Sequence, residues 1–190
     1  YDVEYLNPFV FYRPQEYSMG SSDNVIIGAS LNAKFKNTTV YSQVILDEFL
    51  LSEIRARSGW WANKFGAQLG IMGRLSDKLS YRVEGNLVRP YTFSHLTPLQ
   101  VYGHRGSALA HPYGSNFAEI LTEWNWSKKI NPKLKLRFFA SFGIRGTDMD
   151  SLNYGSDIYE SYIHRPNDFG NYIGPVSYTH LTLPTSSQVG

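Results

Sequence analysis

Residues 25–35 (VIIGASLNAKF) and 134–145 (LKLRFFASFGIR) alternate apolar and polar side chains at almost every step. Successive side chains of a β-strand point to opposite faces of a sheet, so this period of two predicts strands with one apolar and one polar face. Similar alternation, less regular in places, runs through the segments between these two stretches. The pattern predicts six strands, near residues 24–35, 40–49, 60–75, 79–90, 116–126 and 134–145.

The predicted strands are long, and their connections alternate in length. Strands of globular proteins average about 5–6 residues, whereas a tilted strand that crosses a membrane needs about 9–11. Short turns at 36–38, 76–78 and 127–133 alternate with long loops at 50–59, at 91–115 and from residue 146 onward. Because outer-membrane β-barrels have this layout, we expect an all-β fold, an antiparallel up-and-down meander of about six long strands within such a barrel.

The composition excludes several other classes. The chain has 190 residues with 18 Lys and Arg against 16 Asp and Glu, so its net charge of +2 gives no reason to expect a nucleic-acid partner. The absence of Cys excludes disulfides, thiolate metal sites and a cysteine nucleophile. No apolar run reaches the roughly 18 residues of a membrane-spanning helix. The mean hydropathy of −0.32 is compatible with alternating barrel strands.

The predicted topology assigns positions to the aromatic residues, which make up 15% of the chain. If the long loops face outward, Trp60 and Trp61 lie at the outer rim with Tyr91 and Phe93. Tyr81, Trp124 and Trp126 then lie at the inner rim. Part-apolar, part-polar rings are enriched at both interfaces of a membrane, so we interpret the four Trp and Tyr81 as membrane-interface aromatics.

The polar face of the predicted strands carries both signs of charge, and we expect it to face the barrel lumen. Its polar members include Lys64, Gln68, Arg82, Glu84 and Arg137. One interpretation is a lumen that guides an anionic polysaccharide. The other, which the mixture of signs favours, is a lumen whose charges pair with one another.

Six segments resemble the capsule assembly Wzi family, and more closely the gliding-motility RemB-like branch of those outer-membrane β-barrels. They are NPFVFYRP (7–14), LDEF (46–49), GWWANK (59–64), VRPYTFSH (88–95), YGH (102–104) and ALAHPYGSNF (108–117). The resemblance implies a barrel of about 18 strands in the bacterial outer membrane, with no cofactor and no catalytic residue. It also implies attachment of capsular or exopolysaccharide at the cell surface, with gliding motility in the RemB-like branch. Six strands cannot close such a barrel, so we expect the chain to be part of one.

Residues in the long loops are the candidates for binding a glycan. Aromatic rings can stack on sugar rings, and neighbouring cations or imidazoles can hydrogen-bond hydroxyl or acidic groups. The candidate residues are Tyr91, Tyr102, His104, Arg105, His111 and Tyr159.

Catalytic and metal-binding interpretations are weaker. Asp47, Glu48 and Glu53 suggest a glycosidase, but adjacent strand residues point to opposite faces, so Asp47 and Glu48 are not expected to face one substrate. His95, His104 and His111 share a loop, but their spacing matches no compact ligand motif. We therefore predict no enzymatic activity, no metal and no cofactor.

The end of the chain differs from the rest. Residues 176–185 (VSYTHLTLPT) match the translation of a transposon-derived sequencing adapter. We interpret 176–190 as a non-native tail and 1–175 as the partial barrel. His180 is therefore not a candidate ligand or base.

The hypothesis with most support is a non-enzymatic outer-membrane barrel that contacts lipid and surface polysaccharide and acts in capsule or exopolysaccharide attachment or assembly, or in gliding motility. One alternative is a general diffusion porin, which would differ in having an open lumen. Another is a soluble glycan-active enzyme on a β-sandwich, which would explain the alternation but neither the strand length nor the rhythm of the connections.

Overall fold

The computed structural model describes residues 26–48, 50–127, 135–149, 152–174 and 178–182. The strands are β1 (Ile27–Phe35), β2 (Thr38–Glu48), β3 (Lys64–Ser76), β4 (Leu79–Val88), β5 (Gly103–His104), β6 (Ser107–Ala108), β7 (Phe117–Ser127), β8 (Lys135–Arg145) and β9 (Tyr178–Thr182). One helix, α1 (Leu51–Ala56), and two 3₁₀ turns (Pro98–Gln100 and Tyr162–His164) lie between strands. Within the described residues, no helix is long and apolar enough to span a membrane.

The long strands form one open antiparallel sheet in the order β1-β2-β3-β4-β7-β8-β9, and β5 with β6 forms a separate hairpin. The predicted all-β meander of six long strands is therefore confirmed. The seventh strand, β9, was not expected, because it lies in the segment that we interpret as an adapter-derived tail. Its backbone pairs with β8 from Ser141 to Arg145. The sheet does not close, since β1 pairs with β2 alone among the described strands.

Some strands begin or end at residues other than those predicted, because the backbone there forms turn hydrogen bonds or contains proline. β3 begins at Lys64 rather than near residue 60, because the preceding residues form a turn in which the Trp61 amide donates to Asp168 O at 2.9 Å. β4 ends at Val88, just before Pro90, which has no N–H to donate to a ladder. The β1–β2 connection is a two-residue turn with Lys36 at φ 33°, a left-handed conformation that suits tight hairpins. Residues 24, 25, 49 and 134, also predicted as strand, lie outside the described residues.

One face of the sheet is apolar across all six long strands. The pairing register aligns Leu31, Ser42, Leu69, Gly85, Ile120 and Phe142 in a row across the sheet. Every second residue above and below this row is apolar, small or an uncharged hydroxyl, and no described residue on this face is charged. Leu31, Leu69 and Ile120 are 67%, 63% and 62% exposed. The described part of the chain leaves this face uncovered.

The buried core lies on the opposite, polar face, at the end of the sheet that carries the long loops. Val88 and Phe117 pack there against Phe93 and Ile158, which come from two different loops. We call residues 50–63, 89–116 and 146–174, in their described parts, the loop cap. The loop cap thus covers one end of the polar face, which is the reverse of a soluble sheet that buries its apolar face.

Candidate functional site

The loop cap is held by buried polar residues as well as by its apolar core. The Asn116 side chain donates to Tyr154 O at 2.9 Å and accepts from the Gly174 amide at 3.0 Å. The Asn153 side-chain amide donates to Glu160 O at 3.2 Å and to Ser161 O at 3.0 Å. The Asn116 contacts join the 89–116 and 146–174 loops, and the Trp61 amide, which donates to Asp168 O, joins the 50–63 loop to the 146–174 loop, so the three loops form one packed unit. These buried side-chain amides form hydrogen bonds with backbone groups of the loops, which have no partner in a helix or strand.

Tyr91 was predicted to stack on a glycan, and the structure shows that this prediction is wrong. Its side chain is 0% exposed, and its hydroxyl donates to Asn153 O at 2.8 Å. Burial raises the pKa of the Tyr91 phenol, because the ionised form would lose its hydration. Tyr91 and Phe93, which is 1% exposed, are therefore loop-cap core residues rather than rim aromatics.

The β5–β6 hairpin carries the most accessible of the predicted glycan candidates. Arg105 at φ 49° and Gly106 at φ 76° form its tip, and His104 and Arg105 are exposed. Tyr102, just before β5, is 40% exposed and rests on Phe93 with ring centroids 5.7 Å apart. The hairpin thus presents an aromatic ring, an imidazole and a guanidinium to the solvent.

The two remaining glycan candidates are tied to neighbouring groups. The Tyr159 hydroxyl donates to Ser107 O at 3.2 Å, which fastens the 146–174 loop to the hairpin. The His111 ring stacks on Phe117 at 4.4 Å, and its Nε2 lies 3.0 Å from Glu119 Oε1. Both rings are half-buried. Through these contacts Tyr159 supports the hairpin, and His111 links the loop cap to the polar face.

A cation–aromatic cluster lies where β3 meets the loop cap. Lys64 is 0% exposed, and its ammonium pairs with Glu48 Oε2 at 3.2 Å and donates to Ser94 O at 3.3 Å. The same ammonium lies 5.3 Å from the centre of the Trp61 ring, and Arg165 covers that ring at 4.2 Å. Lys64 therefore lies on the predicted face but is buried beneath the loops.

Trp61 packs within the loop cap, with its ring 6.1 Å from Tyr91 and 4.7 Å from Tyr162. Trp60 lies beside it at 6.3 Å.

Farther from the loops, the polar face forms a network of paired charges. Arg82 and Arg137 both contact Glu123 Oε2, at 3.2 and 3.0 Å. Glu84 accepts a hydrogen bond from the Tyr41 hydroxyl and another, at 3.0 Å, from the Asn86 amide. The Asn86 amide also donates to Glu119 at 3.0 Å. Gln68 lies in register with Asn86 on the same face. The five residues predicted to share a polar face, Lys64, Gln68, Arg82, Glu84 and Arg137, do so.

The aromatics predicted for the inner rim lie together at the short-turn end of the apolar face. Tyr81 and Trp124 are cross-strand partners with ring centroids 5.8 Å apart. Trp126 occupies the same face opposite Leu79. Aromatic cross-strand pairs also stabilise the ladder itself.

The carboxylates of β2 lie at the end of the strand that meets the loop cap. A bulge between Leu46 and Glu48 shifts the register, so that Glu48 lies opposite Lys64 on β3. Asp47 Oδ2 accepts from the Phe93 amide at 3.1 Å, and Glu48 pairs with Lys64. The bulge interrupts the strict alternation that was expected at Asp47 and Glu48. Both carboxylates are nevertheless engaged in structural contacts.

The histidines do not form a metal centre within the described residues, where no group of three or more metal-ligating side chains occurs. His95 Nδ1 lies 2.8 Å from Gln100 Oε1, and His111 contacts Glu119. Their contacts are loop contacts.

Two exposed aromatics of the loop cap were not among the predicted site residues. Phe169 and Tyr172 are 56% and 54% exposed and flank the buried Asn171. The Tyr172 hydroxyl donates to Arg57 O at 2.6 Å. Their position in an aromatic-rich segment was the available signal, but no periodicity in a loop distinguishes an exposed ring from a buried one.

No family model matches the chain, and no curated protein or solved structure is significantly similar to it.

Proposed function

We propose that this chain is part of a non-enzymatic outer-membrane β-barrel that acts in surface polysaccharide attachment or assembly. The observation that carries the proposal is the uncharged apolar face, which extends over six long strands and which the described loops leave uncovered. Such a face is stable when it contacts lipid, because hydrocarbon then replaces water against the apolar side chains. Aromatic rings at the short-turn end of the same face suit the border between hydrocarbon and headgroups.

The polar face supports the same assignment. A barrel interior must satisfy its own charges, and the Arg82–Glu123–Arg137 and Glu84–Asn86–Glu119 contacts do so within the sheet. The alternative of a soluble sandwich enzyme would require the apolar face to pack on a second sheet and the polar face to meet water. The loop cap packs instead on the polar face.

The polysaccharide role rests on the loop cap and on the resemblance to the Wzi family. Packed loops over one end of the interior suit a surface that holds a polymer better than they suit the open channel of a diffusion porin. Within this surface the β5–β6 hairpin presents Tyr102, His104 and Arg105. The RemB-like resemblance adds gliding motility as the cellular process in which such attachment acts.

Detergent phase partitioning of the complete protein tests the membrane assignment. The protein should enter the detergent phase, and recovery from the aqueous phase without detergent would refute the barrel.

Substitution of the hairpin tests the polysaccharide role. Tyr102→Ala combined with Arg105→Ala should lower binding of surface polysaccharide to cells about tenfold, because an exposed ring and a cation are lost together. Assembly of the barrel should be unchanged, since both side chains lie outside the sheet. Arg55→Ala on α1 is the matched control for loss of an exposed loop cation. Unaltered binding by the double variant would remove the hairpin from the site.

A further inference from the structure

A cavity of about 760 Å³ lies on the polar face at the short-turn end, away from the loop cap. All six long strands and the β1–β2 turn contribute to it. Its charged lining residues are Lys34, Lys36, Arg74, Arg82, Arg137 and Glu123. Among the described residues, five cations therefore surround a single carboxylate.

The carboxylate does not neutralise all of these cations. Glu123 is engaged by Arg82 and Arg137. Within the described part of the chain, Lys34, Lys36 and Arg74 take part in no ion pair. Lys34, Lys36 and Arg74 are exposed, and like charges gathered on one concave face repel one another, most strongly at low ionic strength. An anion in the cavity would relieve this repulsion.

The polar face is also divided by sign along its length. The acidic residues Glu84 and Glu119 lie nearer the loop cap, where they are buried and hydrogen-bonded to Asn86. The unpaired cations lie at the opposite end. The strand register produces this separation.

We propose that this cavity binds an oxyanion, a carboxylate or phosphate group carried by a sugar or polymer that enters the barrel interior. Guanidinium groups match the geometry of both oxyanions, and a Lys ammonium adds a compact charge. Thr39, Ser80 and Asn125 line the same cavity and supply uncharged hydrogen-bonding groups. Its volume lies within the range of small-ligand sites. The assignment rests on the proposed function only in taking the polar face as the barrel interior.

Titration calorimetry on the full-length protein in detergent micelles at low salt tests this site. Trigalacturonate supplies carboxylates, glucose 1-phosphate supplies a phosphate, and maltotriose is the neutral probe. At least one anionic probe should bind, and maltotriose should not. Binding of only one anionic probe identifies the group that the site takes. Absence of binding by both, or equal binding of maltotriose, would overturn the proposal.

Lys34→Gln combined with Arg74→Gln should weaken anion binding about tenfold, because two unpaired cations are removed while the Arg82–Glu123–Arg137 contacts remain. Arg55→Gln with Arg57→Gln makes the same change of charge at the loop end and should leave the affinity unchanged. Equal affinity in the Lys34/Arg74 variant and the wild type would exclude the cavity.

The loop variant separates this result from the proposed function. Tyr102→Ala with Arg105→Ala should retain anion binding in the cavity. Loss of binding in that variant, with binding kept in the Lys34/Arg74 variant, would place the anion at the loops and refute the cavity site alone. Cross-linking of the detergent-solubilised variants, compared with wild type, verifies that each one is assembled.

Discussion

Leu69 lies in the middle of β3 on the apolar face, opposite Ser42 on β2 and Gly85 on β4. The neighbouring Gln68 points to the polar face, opposite Gln43 and Asn86. These adjacent residues therefore occupy different environments although the same strand carries both. Substituting each by the same residue separates the effect of the face from the effect of the strand.

Leu69→Arg should reduce membrane assembly of the full-length protein, because an Arg that faces lipid near the midplane costs about 2–4 kcal/mol. Gln68→Arg should assemble nearly normally, since its guanidinium can reach the carboxylates of the polar face. Assembly is measured as the fraction of folded protein in lipid vesicles. Equal assembly of the two variants would contradict lipid contact by the apolar face.

The burial of Tyr91 makes the stability of the loop cap depend on pH. Its pKa is raised in the folded protein, so the unfolded loop releases the phenolic proton first as the pH rises. The contribution of Tyr91 to stability is therefore complete below the ordinary tyrosine pKa of about 10 and declines above it. Hydrogen exchange of the loop cap should accelerate more between pH 9 and pH 11, on the order of several-fold, in the wild type than in Tyr91→Phe. Identical acceleration in the two proteins would exclude this residue as the cause.

At the scale of elements, two glycines distinguish a packed loop from a free hairpin. Gly155 (φ 77°) and Gly106 (φ 76°) share a left-handed backbone that disfavours any side chain. A Cβ at Gly155 would overlap the backbone nitrogen and ring of Tyr91, whereas a Cβ at Gly106 would have no neighbour within 4 Å. The two positions therefore share the backbone cost and differ in packing.

Gly155→Ala should destabilise the loop cap by about 1–3 kcal/mol more than Gly106→Ala, because overpacking adds to the backbone strain. Limited proteolysis of the assembled protein from the loop side measures this difference as an increased rate of cleavage. Equal cleavage rates would show that the 146–174 loop does not pack on Tyr91.

At the scale of the whole molecule, the described sheet is open and has its apolar face exposed. Exposed strand edges and large apolar surfaces promote association in water. The isolated 190-residue chain should therefore aggregate in detergent-free buffer and disperse in detergent. Sedimentation velocity in the two solvents is the measurement, and a stable monomer in water would contradict the proposed lipid-facing surface.

The sequence alone determined the six long strands, the two-residue turns after β1 and β3, and the division of strand residues between two faces. Each of these follows from a local rule, the period of two along a strand and the residues that a tight turn accepts. It also placed Tyr81, Trp124 and Trp126 together, because strand register carries that information across one hairpin after another. The polar side chains of Gln68, Arg82, Glu84 and Arg137 share a face for the same reason.

Only the tertiary structure decided what the long loops do. Tyr91 contacts Asn153 across 62 positions of sequence, and Asn116 contacts Gly174 across 58. No periodicity governs such contacts, because each depends on how three irregular segments pack on one another. A bulge in β2 likewise turned Glu48 toward Lys64, which strict alternation could not foresee. Local alternation therefore specifies the sheet, whereas long-range packing determines which loop side chains are buried and which remain available for binding.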